Sequence, residues 1–288
     1  MKLRTTSGER LRIAGVSFVT LMAGIVAWRL IGVAALIPLT VACLAILLWM
    51  QMELAALLRE QVRHELLYDF RQVEALFSLF STLRPELPLP DSRHWAASPD
   101  FLKKLSELVL SRKAQLVAEA GSGVSTLVTA YCLKRLGGGK VISLEHDEKY
   151  AKVTSEMIRF HGLSAFAEVI YCPLVKVAIG QETFMWYALD KVRFDRQIDI
   201  LVVDGPPVDG QDFPRYPALP MLSPYLAKDA FILLDDGQRP DETRTNARWT
   251  AEFAPIASEF LPVEKGAFLL RKGASGDFAH GMQVTPFL

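Results

Sequence analysis

Apolar residues run almost unbroken from Leu11 to Met50, and Arg29 is the only charge inside the run after Arg12. A helix rises ~1.5 Å per residue and the hydrocarbon layer of a bilayer is ~30 Å thick, so a single helix over this run would be about twice too long. The pattern predicts two membrane-spanning helices, over residues 11–28 and 30–50. Arg29 and Gly32 would form the turn, with Trp28 and Trp49 at interfacial depths. A secretory signal has an apolar region of only ~7–15 residues followed by a cleavage site, and neither feature fits here. Lys2, Arg4, Arg10 and Arg12 precede the first span, and Arg59 and Arg63 follow the second. Positive flanks at both ends predict a hairpin with both termini in the cytoplasm.

The periodicity then changes. Leu54, Leu57, Leu58, Val62, Leu66, Phe70, Val73, Phe77 and Phe80 recur at intervals of one, three and four, with charges filling much of the remainder. This predicts a helical linker over residues 53–90, ended by the prolines from Pro85 to Pro90. Packing on the following domain is the plainer use of such a helix. Pairing into a homodimer or lying on a membrane surface is the sharper one.

From residue 91 to 288 helical and strand patterns alternate. Helices are expected over Phe101–Arg112, with Ser98 as N-cap and Pro99 at the first position, and over Thr126–Leu136 and Glu148–His161. Short apolar strands are expected over Gln115–Ala118, Val141–Leu144, Glu168–Tyr171, Ile198–Val203 and Phe231–Leu234. Strands separated by helices imply a mostly parallel α/β sheet, whose ligands sit beyond the carboxyl ends of the strands. A glycine-rich turn, Glu119-Ala-Gly-Ser-Gly-Val-Ser-Thr126, follows the first strand. Glu145 closes the second, Asp204 the fourth and Asp235 the fifth. Gly121 and Gly123 let the backbone turn sharply and approach a ligand, and Glu145 can accept hydrogen bonds from ribose hydroxyls. The combination predicts a nucleoside site on one sheet edge.

Bulk properties narrow the classes. Lys+Arg and Asp+Glu are 32 each, so no large basic field gathers nucleic acid. Cys43, Cys132 and Cys172 lack C-x-x-C spacing, and five histidines show no ligand spacing. The mean hydropathy of +0.22 reflects the N-terminal run. Tyr187-Ala-Leu-Asp-Lys191 matches a dehydrogenase-type Y-x-x-x-K, but it precedes the fourth strand and reads as helix surface and core. A nicotinamide site would also want a third glycine where Thr126 stands.

The stretch from about Leu87 to Leu270 resembles the class I S-adenosylmethionine-dependent methyltransferases. The resemblance is to a bacterial branch with E-x-G-S-G-x-S-T, V-D-G-P-P and L-L-D-D motifs, here Glu119–Thr126, Val203–Pro207 and Leu233–Asp236. Trp95–Asp100 and Arg215-Tyr-Pro217 add to it. The resemblance implies a Rossmann-like seven-stranded sheet with its last strand antiparallel, the hairpin coming from Ala254–Val263 and Ala267–Arg271. It implies S-adenosylmethionine as cofactor, with Glu119, Gly121, Ser122, Gly123, Ser125 and Thr126 around the methionine moiety. Glu145 and His146 would lie at the ribose, Cys172 and Leu174 near the adenine, and Asp204 beside the cofactor. In metal-dependent catechol-type relatives acids at these strand ends bind a divalent cation such as magnesium, so Asp204, Asp235 and Asp236 are metal candidates. Here Asp236 replaces the amide and Gly205-Pro-Pro207 replaces a lysine. Asp204 and Asp236 are the candidate catalytic groups, and Arg215, Tyr216 and Arg239 the candidate substrate contacts. Methyl transfer to oxygen on a small, glycan or lipid-linked acceptor at the membrane is the expected activity. A tethered nucleoside-binding module without catalysis is the alternative.

Overall fold

The structure is a computed structural model, and it describes residues 15–16, 18–26, 29, 36–93, 96–207 and 210–273. The described residues from 15 to 29 are helical. The remainder of the expected first span (11–14, 17, 27 and 28) and the start of the expected second span (30–35), with Gly32, lie outside the described residues, as do His94, Trp95, residues 208–209 and the stretch from 274 onward.

The chain divides into two compact units, Met1–Asp69 and Phe70–Leu288. Helix α1 spans Leu36–Leu83 and takes in the described part of the expected second span and most of the expected linker; no Gly or Pro interrupts the sequence around residues 52 and 53, so the helical hydrogen bonding continues there. In the first unit Val41, Leu44, Leu47, Leu48 and Trp49 are exposed. Among the described residues one helix, over Thr40–Leu83, is long and apolar enough to cross a membrane, with a stretch of mean hydropathy 2.1 that is wholly unburied.

In the second unit, the end of α1 buries Ala75, Leu79 and Leu83, and Leu79 and Leu83 join the domain core. Helix α2 (Pro99–Arg112) follows, then β1 (Leu116–Ala120), α3 (Val124–Leu136), β2 (Lys140–Glu145), α4 (Glu148–Phe160) and β3 (Ala167–Tyr171). Next come β4 (Leu174–Ile179), β5 (Glu182–Tyr187), β6 (Ile198–Val203), the short α5 (Ala218–Leu222) and β7 (Leu226–Asp235). Helix α6 (Pro240–Glu252) and strands β8 (Ile256–Leu261) and β9 (Ala267–Lys272) complete the unit. Ser98 occupies the N-cap of α2 as expected, but its hydroxyl donates to Asp100 Oδ1 at 2.6 Å rather than accepting from the helix backbone.

The main sheet has seven strands in the order β3-β2-β1-β6-β7-β9-β8. β1 pairs in parallel with β2 and β6, β2 with β3, and β6 with β7, while β9 lies antiparallel to β7 and to β8. Alternation along the central strands divides the core into two layers. Val117, Ile200, Val202 and Leu233 pack with α2 and α3 on one face. Ala118, Leu201, Val203, Ile232 and Leu234 pack with Trp186, Tyr187 and Trp249 on the other. A period of two on a sheet covered on both faces yields near-continuous apolar strands, which is why these segments read as short apolar runs.

β4 and β5 form a separate antiparallel hairpin. Tyr187 therefore ends a strand and does not lie on a helix, contrary to expectation. The overlooked signal was two alternating runs around Gly180-Gln181, a two-residue hairpin turn with Gly180 at φ +61°.

Candidate functional site

Parallel strands place their carboxyl ends on one edge, and the order β2-β1-β6-β7 sets Glu145, the glycine turn, Asp204 and Asp235 side by side along it. Gly121 takes φ +107°, a conformation that a side chain would strain. Its amide donates to the Leu144 carbonyl at 2.9 Å, tying the turn to β2. The Asp204 amide donates to the Ala120 carbonyl at 3.0 Å, tying β6 to the same turn. A Cβ on Gly121 would lie 3.5 Å from the Gly205 nitrogen and 3.6 Å from the Asp204 carbonyl carbon, so the turn and the acid-bearing loop are in contact.

Glu119 is buried beneath the turn, where Oε2 accepts from Thr126 Oγ1 at 2.5 Å and Ser143 Oγ at 2.7 Å. The Gly123 amide donates to Thr126 Oγ1 at 3.1 Å, so the first turn of α3 and the loop share one network. Burial raises the Glu119 carboxyl above its usual range, against hydrogen bonds from Ser125, Thr126 and Ser143. Its other oxygen is buried with no hydrogen-bond partner within the protein. Glu119 and Thr126 thus support the loop from below, while Ser122 and Gly123 form its surface.

Glu145 is buried at the end of β2. Ser122 Oγ donates to Oε2 at 2.8 Å, and His146 Nδ1 and the Asp147 amide approach Oε1 at 3.0 and 3.1 Å. Burial alone would raise this carboxyl, but these hydrogen bonds outweigh it and hold it below the usual range. An ionised carboxylate offers about four lone-pair positions, so these three partners leave one for a ligand hydroxyl. The Cys172 amide donates to the Glu145 carbonyl at 2.7 Å, which brings the β3–β4 link beside it. The Cys172 thiol packs in the core, where burial pushes it up to about 11, so that residue contributes backbone and shape rather than a reactive group. Leu174 opens β4 opposite Tyr187.

Tyr187 was not expected at the site. It is buried, with its ring 6.3 Å from that of His146, and its hydroxyl lies close against Gly205. That hydroxyl has no hydrogen-bond partner within the protein, and burial holds it well above the usual phenol range.

At the ends of β6 and β7 the three expected acids do converge: Asp204, Asp235 and Asp236 present oxygens within 4.8 Å of one another. Asp204 is 20% exposed, against 4% for Asp236, and burial raises its carboxyl to about 6 despite the Arg215 guanidinium beside it. Asp235 is buried with neither oxygen hydrogen-bonded, and burial reinforced by Asp204 and Asp236 holds it well above the usual range. Asp236 sits at φ +56°, a left-handed position that aspartate tolerates better than most residues.

Arg215 lies among these acids. Its Nη2 donates to Asp236 Oδ2 at 2.7 Å, to Asp204 Oδ1 at 3.2 Å and to the Asp204 carbonyl at 2.9 Å, while Nη1 donates to the Asp235 carbonyl at 2.9 Å. Nε stands 3.5 Å from Glu242 Oε1 in an ion contact. Arg215 is thus an internal cation and not a free substrate contact. Tyr216 is likewise consumed internally: its hydroxyl donates to Glu252 at 2.5 Å, its carbonyl accepts from Trp249 Nε1 at 2.9 Å, and Arg248 stacks on its ring at 3.8 Å. In both, α6 packs onto the segment before α5. Arg239 remains half exposed, with Nη1 2.9 Å from Asp236 Oδ2. Glu242, missed in the sequence, is a buried acid of α6 whose only mark was its place in that helix's first turn.

Three carboxylates are a suitable donor set for a divalent cation. Here two of the three carry a guanidinium at hydrogen-bond distance, so the residues do not fit a bound metal as they stand. The glycine turn, by contrast, has free space at Gly123, where nothing lies within 4 Å of an added Cβ.

Residues 118–237 match the family model described as a methyltransferase domain. No curated protein matches the chain. Among solved structures, a methyltransferase from Geobacter sulfurreducens is 17% identical with TM-score 0.47, covering 69% of this chain and 88% of its own. An SAH-bound methyltransferase from Podospora anserina is 18% identical with TM-score 0.48, at the same coverages of 69% and 88%. An O-methyltransferase from Bacillus cereus in complex with SAH is 18% identical with TM-score 0.46, covering 70% and 90%. The glycine turn after β1, the strand-end acids and the family match fall on one stretch of chain, and the protein carries a methyltransferase domain.

Proposed function

We propose that the chain methylates a hydroxyl oxygen of a membrane-associated acceptor, with its catalytic domain on the cytoplasmic face of a bacterial-type inner membrane. The observation that carries the chemistry is the contact between the turn at Gly121 and the loop bearing Asp204, which sets the proton acceptor against the donor site. When bound, S-adenosylmethionine supplies an electrophilic methyl group, so the chain has only to align the acceptor and take its proton. Glu145 and Ser122 hold the ribose, and the loop at Gly121–Gly123 lies along the methionine moiety. Arg215 occupies Asp204 Oδ1, leaving Oδ2 to receive the hydroxyl proton. A carboxylate that titrates near 6 is a better base at neutral pH than an ordinary aspartate. Arg239, half exposed at the same edge, orients an acidic or polar part of the acceptor.

The location is supported by the exposed apolar helix over Thr40–Leu83 and by the basic residues flanking the apolar run; the two-helix hairpin remains part of this proposal. The test is calorimetric titration of the full chain in detergent with S-adenosylmethionine and its demethylated product. A screen for labelled methyl transfer to hydroxylated lipids, lipid-linked glycans and soluble phenols accompanies it. Binding with transfer to a membrane-borne hydroxyl is expected. Binding without transfer to any hydroxyl would leave a tethered nucleoside-binding module, and absence of binding would end the proposal.

A further inference from the structure

We infer that Arg215 is the resident cation of the acidic site, holding by side-chain hydrogen bonds the position that a divalent metal would need, so that this methyltransferase works without one. The inference rests on the reading of Asp204 as the acid facing the acceptor. Asp204, Asp235, Asp236 and Glu242 crowd the ends of β6 and β7 and the start of α6. Such a cluster requires a compensating positive charge. Arg215 supplies it while 4% exposed, donating to two carboxylates and to the carbonyls of Asp204, just after β6, and Asp235, at the end of β7. Arg239 adds a second guanidinium on Asp236 from the solvent side. A metal ion at these carboxylates would have to expel both guanidinium groups. It would also strand the Arg215 donors away from the two carbonyls they now satisfy, and unpaired buried charge is strongly unfavourable.

The planar fork explains why arginine serves here. One guanidinium reaches acceptors from three segments at once, which a lysine ammonium on a flexible stem cannot reproduce. Arg215 is a positioning residue: it holds Asp204 Oδ1, aims Oδ2 outward, and couples the β6 and β7 ends. It also leaves Asp235, buried and without a hydrogen-bonding partner, as an oxygen pair that a cation would claim if Arg215 were absent.

The experiment uses the full chain in detergent and follows Mn²⁺ by its electron paramagnetic resonance signal. For the unaltered chain no saturable Mn²⁺ binding below about 1 mM, the weak end of carboxylate-site affinity, is expected, and chelator leaves the rate of methyl transfer unchanged within about twofold. Stoichiometric Mn²⁺ binding that disappears in Asp235→Asn would overturn the inference. Arg215→Ala is expected to lose at least about tenfold in turnover, to regain part of it with free guanidinium ion but not with neutral urea, and to acquire an Mn²⁺ site. Turnover unchanged in Arg215→Ala would also overturn it. Should that variant fail to fold, the Mn²⁺ titration of the unaltered chain still decides, and it does so without reference to turnover. Calorimetry with S-adenosylmethionine on the same preparation separates a failure of this inference from a failure of the methyl-transfer reading.

Discussion

A Cβ placed on Gly205 would stand 2.5 Å from the hydroxyl of Tyr187. The loop after β6 and the end of the β4–β5 hairpin are therefore in closest contact at the point where the acid Asp204 leaves its strand. Gly205→Ala should force one of them to move, at about 1–3 kcal/mol for an overpacked site, and should weaken cofactor binding at least tenfold. Tyr187→Phe removes the conflicting oxygen. The double variant should recover stability beyond the sum of the singles, as measured by a thermal-denaturation double-mutant cycle.

Tyr187→Phe alone addresses a different cost. The phenol is buried with no hydrogen-bond partner within the protein. An unsatisfied buried hydroxyl costs about 1–3 kcal/mol, so the variant should melt no lower than the unaltered chain in the absence of cofactor. A drop of several degrees would show that the hydroxyl has a partner in solution.

In the proposed mechanism Asp204 governs the pH dependence. Its carboxyl is raised to about 6, and that mechanism needs the ionised form. kcat/KM should therefore rise with pH through about 6 and then level. Asp204→Asn should remove that limb and lower turnover by roughly 10²–10⁴, while affinity for the demethylated cofactor changes little. The same shift acts on stability. The folded chain keeps the proton up to about 6, whereas the unfolded chain releases it near 3.8. This group's contribution is thus fully present below 3.8 and is lost as pH rises through about 6. Asp204→Asn should flatten that part of the melting-temperature profile.

Thr126 connects the buried carboxylate to the loop, since it accepts from the Gly123 amide and donates to Glu119. Thr126→Val keeps the shape and removes both bonds. A loss of about 1–3 kcal/mol in denaturant unfolding is expected, together with weaker cofactor binding. Thr126→Ser should retain most of both.

The membrane reading makes its own prediction. Helix α1 carries Leu44, Leu47, Leu48 and Trp49 exposed, an apolar surface that lipid covers in the proposed anchoring. The full chain should stay in the membrane pellet through high-salt and alkaline washes and leave it only with detergent. Release by salt alone would argue for surface attachment.

What could be read from residue order was whatever depends on near neighbours. A glycine pair between an apolar run and an amphipathic one marks a strand-turn-helix, and Glu145, Asp204 and Asp235 announced themselves because each ends an apolar run. The common edge followed from the alternation of strands and helices, and seven strands with the last antiparallel from the family resemblance; both agree with the structure. The role of Arg215 was decided only by tertiary structure. An arginine in a polar loop is by default a solvated charge, and nothing local shows that packing by Trp249 and Tyr216 carries this one inward among four acids. Tyr187 is a similar case, since its position depends on a hairpin folding across the end of β6. Local sequence determines which groups a strand end can offer. Which cation meets them, and what space is left for a substrate, depends on segments distant in the chain, because long-range packing sets the burial that gives a charge its partner.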